Sequence, residues 1–358
     1  MFVSALGSIS GKDNRLGLAK TKHSVVILVD GLGSENLRAA AGHAPFLNSH
    51  LKVSKSINTV FPSTTAVAIT SFGTGAKPAQ HGILGYSVFD RKTSSIQNML
   101  SGWGETLIPA DLQSLESVSA RAKSGGVPVF TVGPGEYDNS GFTQLNMSDS
   151  TYVAAKTFED RVRETLNVLN SSSRALVYLY FPELDSTAHA FGVDSIAWRQ
   201  KLEELDVTIK ALVSSAGPGV GLLLTADHGI VDVPRENQIL LDELELPGLV
   251  AISGDPRNTF AYFETGTDLS EVRLQLAETL DGKAIVATAD EVTQAGWLGG
   301  ADVQNAHLLP DLFIISTGRF ACYHRAWCKP QSLRMIGQHG GISQEELSVP
   351  LLKFGVYA

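Results

Sequence analysis

Over the first two-thirds of the chain, short runs rich in Val, Ile and Leu alternate with polar, glycine-rich segments and with stretches of helical periodicity. Runs at residues 24–29 (SVVILV), 127–132 (VPVFTV), 174–181 (RALVYLYF) and 221–225 (GLLLT) read as buried strands. Helical patterns over 152–169 and 195–214 fall between or beside them. This alternation predicts an α/β fold with a mostly parallel central sheet and helices on both faces.

From 239 to 309 the texture changes. Short strands at 259–263 and 283–288 flank an amphipathic helix at 269–280, which predicts a small α+β insertion or cap within a larger α/β unit spanning 22–358. The run DLFIIS (311–316) is expected to return to the core, and VPLLKFGV (349–356) is expected to supply a last strand. No internal repeat or low-complexity stretch is visible.

At 358 residues, with 43% hydrophobic and 18% charged positions, the composition is that of a globular protein with ample material for a core. The net charge of -9 argues against a nucleic-acid backbone as partner, so an anionic substrate needs local positive charge, which a metal supplies. Only Cys322 and Cys328 occur. Together with His324 they form CYHRAWC, which lacks the spacing of a structural zinc site and reads as a loop with two thiols. The first twenty residues lack a signal-peptide apolar run, and no stretch of about 20 apolar residues occurs, so a cytoplasmic location without membrane association is expected. Oligomeric state is left open.

Ligands of open parallel sheets bind beyond the carboxyl ends of the strands. Three runs carry metal-ligand residue types there: VVILVDGLGS places Asp30, YLYFPELDSTAHAFG places Asp185 and His189, and LLLTADHG places Asp227 and His228. Asp185 and His189 are four apart, on one side of a helical turn. MIGQHGGIS adds His339 among glycines that permit close approach. Singly, each has a plain explanation: an Asp-Gly turn, a helix cap, a surface histidine. Three Asp and three His at strand tips point jointly to a metal site whose donors suit Zn²⁺, with Mn²⁺ or Fe weaker candidates. In INTVFPSTTAVAITSFGTG, Ser63, Thr64 and Thr65 stand where a buried helix starts. Alone this is an N-cap; beside a metal site, a hydroxyl at a helix N-terminus is a natural phosphate position. DGLGS has Gly31 and Gly33 but Asn36 where a dinucleotide fingerprint requires a third glycine.

With those residues in view, the chain resembles the alkaline phosphatase superfamily, and most its nucleotide pyrophosphatase/phosphodiesterase branch. The likeness runs in order through VDGLG, FPSTT, TGAKPAQHGILGY, ELDSTAHAFG, TADHGIVDV and QHGG. It implies two zinc ions, one on Asp185, His189 and His339, the other on Asp30, Asp227 and His228. It also implies Thr65 as the nucleophile, with its oxygen on the second zinc and Thr64 as the alternative; His81 is structural. Where phosphodiesterases of the branch often have an Asn that holds a phosphate oxygen, this chain has Tyr86, whose hydroxyl can donate. The resemblance implies hydrolysis of phosphodiester or pyrophosphate bonds in a small substrate such as a nucleotide, through a covalent phospho-threonine. Phosphomonoester or phosphonate hydrolysis is the alternative within the superfamily, and a non-catalytic metal-stabilised binding protein the alternative outside it. The segment 239–309 and the loops around Trp103 are expected to shape substrate choice.

Overall fold

The computed structural model describes residues 1–103 and 112–358, so part of the loop that follows Trp103 lies outside the described residues. The central sheet has five parallel strands: β1 (His23–Val29), β2 (Val129–Gly133), β3 (Thr151–Ala154), β4 (Ala175–Phe181) and β5 (Val220–Thr225). A second sheet is formed by β6 (Leu249–Asp255), β7 (Asn258–Phe263), β8 (Ala284–Thr288) and β9 (Leu312–Ser316). Last in the chain, β10 (Leu352–Gly355) joins the central sheet antiparallel to β5, giving the order β10-β5-β1-β4-β2-β3.

The continuous apolar runs are explained by burial of both sheet faces. Val25, Ile27 and Val29 pack with the helices α5 (Phe158–Ser171) and α7 (Ile196–Ser215) on one side. Val26 and Leu28 pack on the other, against α1 (Phe2–Ser10), α2 (Thr65–Thr74) and α3 (Val118–Ser124). Helix starts are marked chemically: Ser195 Oγ accepts from Trp198 N–H at the start of α7, and Thr157 with Asp160 forms a capping box at the start of α5.

Two expectations change. The segment 152–169 is not one helix: Thr151–Ala154 is a short edge strand, and the helix begins at Phe158 after a polar turn. The strand is half exposed and only four residues long, so no apolar run announces it. DLFIIS does not rejoin the central sheet; β9 sits in the second sheet between β7 and β8, in the order β6-β7-β9-β8. A fully buried run reads alike whichever sheet receives it. The helix expected at 269–280 is α8 (Leu269–Thr279), covering one face of that sheet. Among the described residues no helix is long and apolar enough to cross a membrane.

A buried ion pair ties the second sheet to the short helix Gln344–Leu347, which precedes β10. Arg257, in the turn between β6 and β7, donates from Nε and Nη2 to the Glu346 carboxylate at 3.0 and 2.7 Å, and both side chains are fully buried. Arg257 Nη1 also donates to the carbonyl of Gly318 at 2.8 Å, while Glu346 accepts from the N–H of Gly341 at 2.8 Å and of Ser343 at 3.2 Å. Removing one member strands a charge without water. Glu346→Ala should therefore cost about 3–5 kcal/mol in urea unfolding. A loss under about 1 kcal/mol would show that the pair is dispensable.

Candidate metal centre

Strands β5, β1 and β4 are neighbours, in register with Leu28 opposite Thr225 and Val29 opposite Phe181. Their carboxyl ends therefore release Asp30, Asp227-His228 and the turn to α6 (Glu183–Phe191) at one edge. Gly31, at φ +72°, takes the turn after Asp30; a Cβ there would sit 3.0 Å from Asp185 Cβ and 2.6 Å from an Ile230 methyl. Only glycine admits both the left-handed turn and the approach of α6. His339 arrives from the far end of the chain on the antiparallel pair of Gly337–Gln338 with Val231–Asp232.

The six residues meet. His228 Nε2 lies 3.4 Å from Asp30 Oδ1 and 3.6 Å from Asp227 Oδ2; His189 Nε2 lies 3.3 Å from Asp185 Oδ2; His339 Nε2 lies 3.8 Å from Asp185 Oδ1. The His228 and His339 rings stack at 3.6 Å. Two groups have donor atoms close enough for a shared ion, Asp30-Asp227-His228 and Asp185-His228-His339, with His189 adjoining the second through Asp185.

Hydrogen bonds to the backbone orient the three rings. The Nδ1 atoms of His189, His228 and His339 are paired with the backbone carbonyls of Gly337 (2.7 Å), Gly229 (3.2 Å) and Ser63 (3.1 Å). With Nδ1–H donating, each Nε2 presents a lone pair inward, the arrangement of metal-ligating histidines. Asp30 Oδ1, Asp185 Oδ1 and Asp227 Oδ2 are buried without any hydrogen-bond partner. Orphaned buried carboxylate oxygens facing imidazole lone pairs repel one another, and a divalent cation relieves that repulsion. Burial first, then the charges of Asp227 and Asp185, push the Asp30 carboxyl well above its usual range. Burial and then the neighbouring His228 and His189 hold His339 well below the usual histidine value. The donor set fits a divalent-metal centre.

Thr65 opens α2, and its Oγ1 lies 3.1 Å from His228 Nε2, beside the Asp30-Asp227-His228 group. Thr64 turns the other way and donates to Asp255 Oδ1 at 3.3 Å. His81 pairs with Ser71 Oγ (2.8 Å) and accepts from Ile83 N–H (3.1 Å), tying α2 to the following turn. Tyr86 is half-buried, with Asn98 and Asp255 in its neighbourhood. It does not line the cavity that opens onto Thr65, Asp30 and Asp185. Among the described residues, neither Cys322 nor Cys328 belongs to a potential metal group, and both are free thiols.

Three contributors escaped the sequence. Tyr180, at the end of β4, donates to Asp30 Oδ2 at 2.5 Å and orients it. Asp255, at the end of β6, receives Thr64, and its Oδ2 is buried without a partner. Arg161 is buried and pairs with Glu183 at 2.6 Å, fastening the start of α6 two residues before Asp185. Tyr180 lies in an apolar strand run next to Leu179 and Phe181, and the others act across 22 to 191 positions, so no local feature of the sequence marked them.

In the metal-free protein, Asp30→Asn should raise stability by about 1 kcal/mol, because one of three crowded charges is removed. With metal loaded the order should reverse; urea titrations in chelator and in excess zinc compare the two, and an unchanged order in both would count against the site. Burial raises the Asp255 carboxyl to about 7. Its folded value lies above the unfolded one near 3.8, so the native state holds the extra proton and stability falls as pH rises through that window. Asp255→Asn should therefore gain on the wild type between pH 5 and pH 8.5, by roughly 1 kcal/mol or more, and equal differences at both pH values would refute the assignment.

The sequence profile of the type I phosphodiesterase / nucleotide pyrophosphatase family matches residues 24–342. An uncharacterised pyrophosphatase/phosphodiesterase of Schizosaccharomyces pombe is 25% identical over 193 residues, 51% of this chain and 39% of that protein. A phosphopentomutase of Anaeromyxobacter dehalogenans is 31% identical over 153 residues, 40% of this chain and 37% of that one. Human ectonucleotide pyrophosphatase/phosphodiesterase family member 1 is 24% identical over 244 residues, 63% of this chain and 25% of its own length. The matched part of this chain thus spans well under two-thirds of these relatives. In fold, murine ectonucleotide pyrophosphatase/phosphodiesterase 5, solved as an inactive threonine-to-alanine form with AMP, superposes with a TM-score of 0.73 at 17% identity, covering 93% of this chain and 88% of that one. A family profile that runs through Asp30, Thr65, Asp185, Asp227 and His339 alike places the chain in the type I phosphodiesterase / nucleotide pyrophosphatase family.

Proposed function

We propose that this protein hydrolyses phosphodiester or pyrophosphate bonds of small substrates through a covalent phospho-threonine at Thr65, in a centre that holds two zinc ions. The supporting observation is the placement of Thr65 Oγ1 at a helix start, 3.1 Å from His228 Nε2, in a cluster where Asp30, Asp185 and Asp227 each keep a buried carboxylate oxygen without a partner. Asp185, His189 and His339 would hold one ion and Asp30, Asp227 and His228 the other, with Thr65 turned to the latter. Imidazole and carboxylate donors suit zinc, with manganese or iron as weaker fits.

Bound divalent cations make a hydroxyl more acidic and neutralise charge developing on phosphate oxygens. The chain's own residues do the rest. Thr65 Oγ1 attacks phosphorus and loses its proton; the bond to the departing oxygen breaks with its electron pair, leaving a phosphoester on Thr65. Water then attacks the same phosphorus, and Oγ1 leaves and takes up a proton. The N–H groups of Thr65 and Ala66, in the first turn of α2, have no acceptor within the helix and offer donors to the equatorial oxygens. Ser63 and Gly341 hold this turn, through Ser63 Oγ donating to the Gly341 carbonyl at 2.8 Å, so His339 and Thr65 move together.

Thr65→Ala should keep the wild-type zinc content and lose turnover of bis(4-nitrophenyl) phosphate by on the order of 10³-fold or more. Asp227→Ala and His339→Ala should instead lower the zinc content itself, read by atomic absorption after dialysis. Thr65→Ala within about tenfold of wild-type turnover would end the covalent route.

A further inference from the structure

A cavity of about 660 Å³ opens onto Thr65, Asp30 and Asp185. Its wall is aromatic: Tyr137 and Tyr180 meet edge-on at 5.8 Å, Tyr178 and Tyr180 stack at 6.0 Å, and Trp103 and Phe142 line the opposite part. Among the described residues no Lys or Arg lines it. The sequence explains why, since neither 93–120 nor 124–155, the segments that supply most of the wall, contains a Lys, Arg or His.

The polar groups present point the same way. Glu136 is exposed at the rim and lies close enough to Tyr137 to raise its hydroxyl above the usual tyrosine value, second only to burial. Asn146 is buried, donates from Nδ2 to the Phe142 carbonyl at 3.0 Å, and leaves Oδ1 without a partner, an acceptor on the cavity wall. The fixed positive charge available to a substrate is therefore confined to the metal centre. It serves one phosphate, and any further anionic group of the substrate meets no cationic side chain on the wall, only neutral hydroxyl and amide groups, the Glu136 carboxylate and aromatic faces, which compensate the loss of its water poorly.

We infer that this cavity selects phosphate diesters whose only negative charge is the reacting phosphate, carrying a flat apolar group against the tyrosine wall, and that it disfavours substrates with additional anionic groups such as nucleoside polyphosphates. Glu136 is the rim residue that sets this preference. The inference rests on the phosphodiesterase reading for the reaction, but the binding preference is measurable without it.

The test uses two esters with the same leaving group, 4-nitrophenyl phenyl phosphate and 4-nitrophenyl 4-carboxyphenyl phosphate. Calorimetry on zinc-loaded Thr65→Ala protein should give a Kd at least about tenfold lower for the phenyl ester, a preference that shrinks at high ionic strength. Glu136→Lys, in the same background, should reduce the ratio of the two Kd values about tenfold. Equal binding, tighter binding of the carboxylated ester, or no binding of either overturns the inference, as does a ratio indifferent to Glu136→Lys. Turnover by the wild-type holoprotein then separates the two claims. Preferential binding without cleavage would sink the hydrolase reading and leave the selectivity standing. Cleavage of both esters with equal kcat/KM would do the reverse.

Discussion

Folding places three carboxylates and three imidazoles at one sheet edge without a lysine or arginine among them. Burial alone raises the cost of each charge; crowding Asp30, Asp185 and Asp227 raises it further, which is why the Asp30 carboxyl is driven well above its normal range. Such an arrangement is tolerable only because the backbone holds it. Three adjacent parallel strands fix where Asp30, Asp227 and the start of α6 emerge, and carbonyls of Gly337, Gly229 and Ser63 fix the three rings. The repulsion that weakens the metal-free protein is the same quantity that gives a divalent cation its affinity.

Much of that edge was legible beforehand. The runs feeding β1, β4 and β5 are unbroken apolar stretches, and polar residues directly after such strands have few structural reasons to be Asp and His together. Residues 24–29 and 221–225 lie within a residue of β1 and β5. What failed did so for identifiable causes. Thr151–Ala154 is an edge strand, half exposed, and its single flank of neighbours leaves no periodic trace. Leu312–Ser316 has the apolar content of a central strand because the second sheet is itself covered on both faces, by α8 on one side and by the cluster around Phe61 and Phe260 on the other.

The unforeseen residues share a different property: they act through partners distant in sequence. Arg257 and Glu346 are separated by 89 positions, Thr64 and Asp255 by 191. A buried arginine in a turn is indistinguishable from a surface one until its carboxylate is located. Helix α1 belongs to the same class. Its serines and glycine give little helical propensity, and it is held by burial of Phe2 against Phe72 and Tyr178. That contact braces α2 from behind, so the helix whose first residue is Thr65 is packed along its length as well as capped at its start.

These separations divide the work of the molecule. The reactive edge is made by the central sheet, whose strands are interior and whose tips vary little in position. The second sheet reaches the centre through Asp255 against Thr64 and through Arg257 with Glu346, both one step removed from the clustered carboxylates and imidazoles. Most of the cavity wall comes from a third source, the excursions between β1 and β3, completed by Tyr178 and Tyr180 of β4 and by the start of α6, and it meets the centre at Thr65, Asp30 and Asp185. Changes in that wall alter which organic group is held without moving the donors that grip the phosphate, because none of the wall's side chains from 100 to 152 ligates or orients an imidazole of the cluster. On the proposed reading, charge is thus concentrated on one side of the scissile bond and withheld from the other, and discrimination among esters would follow from that asymmetry and not from the metal centre.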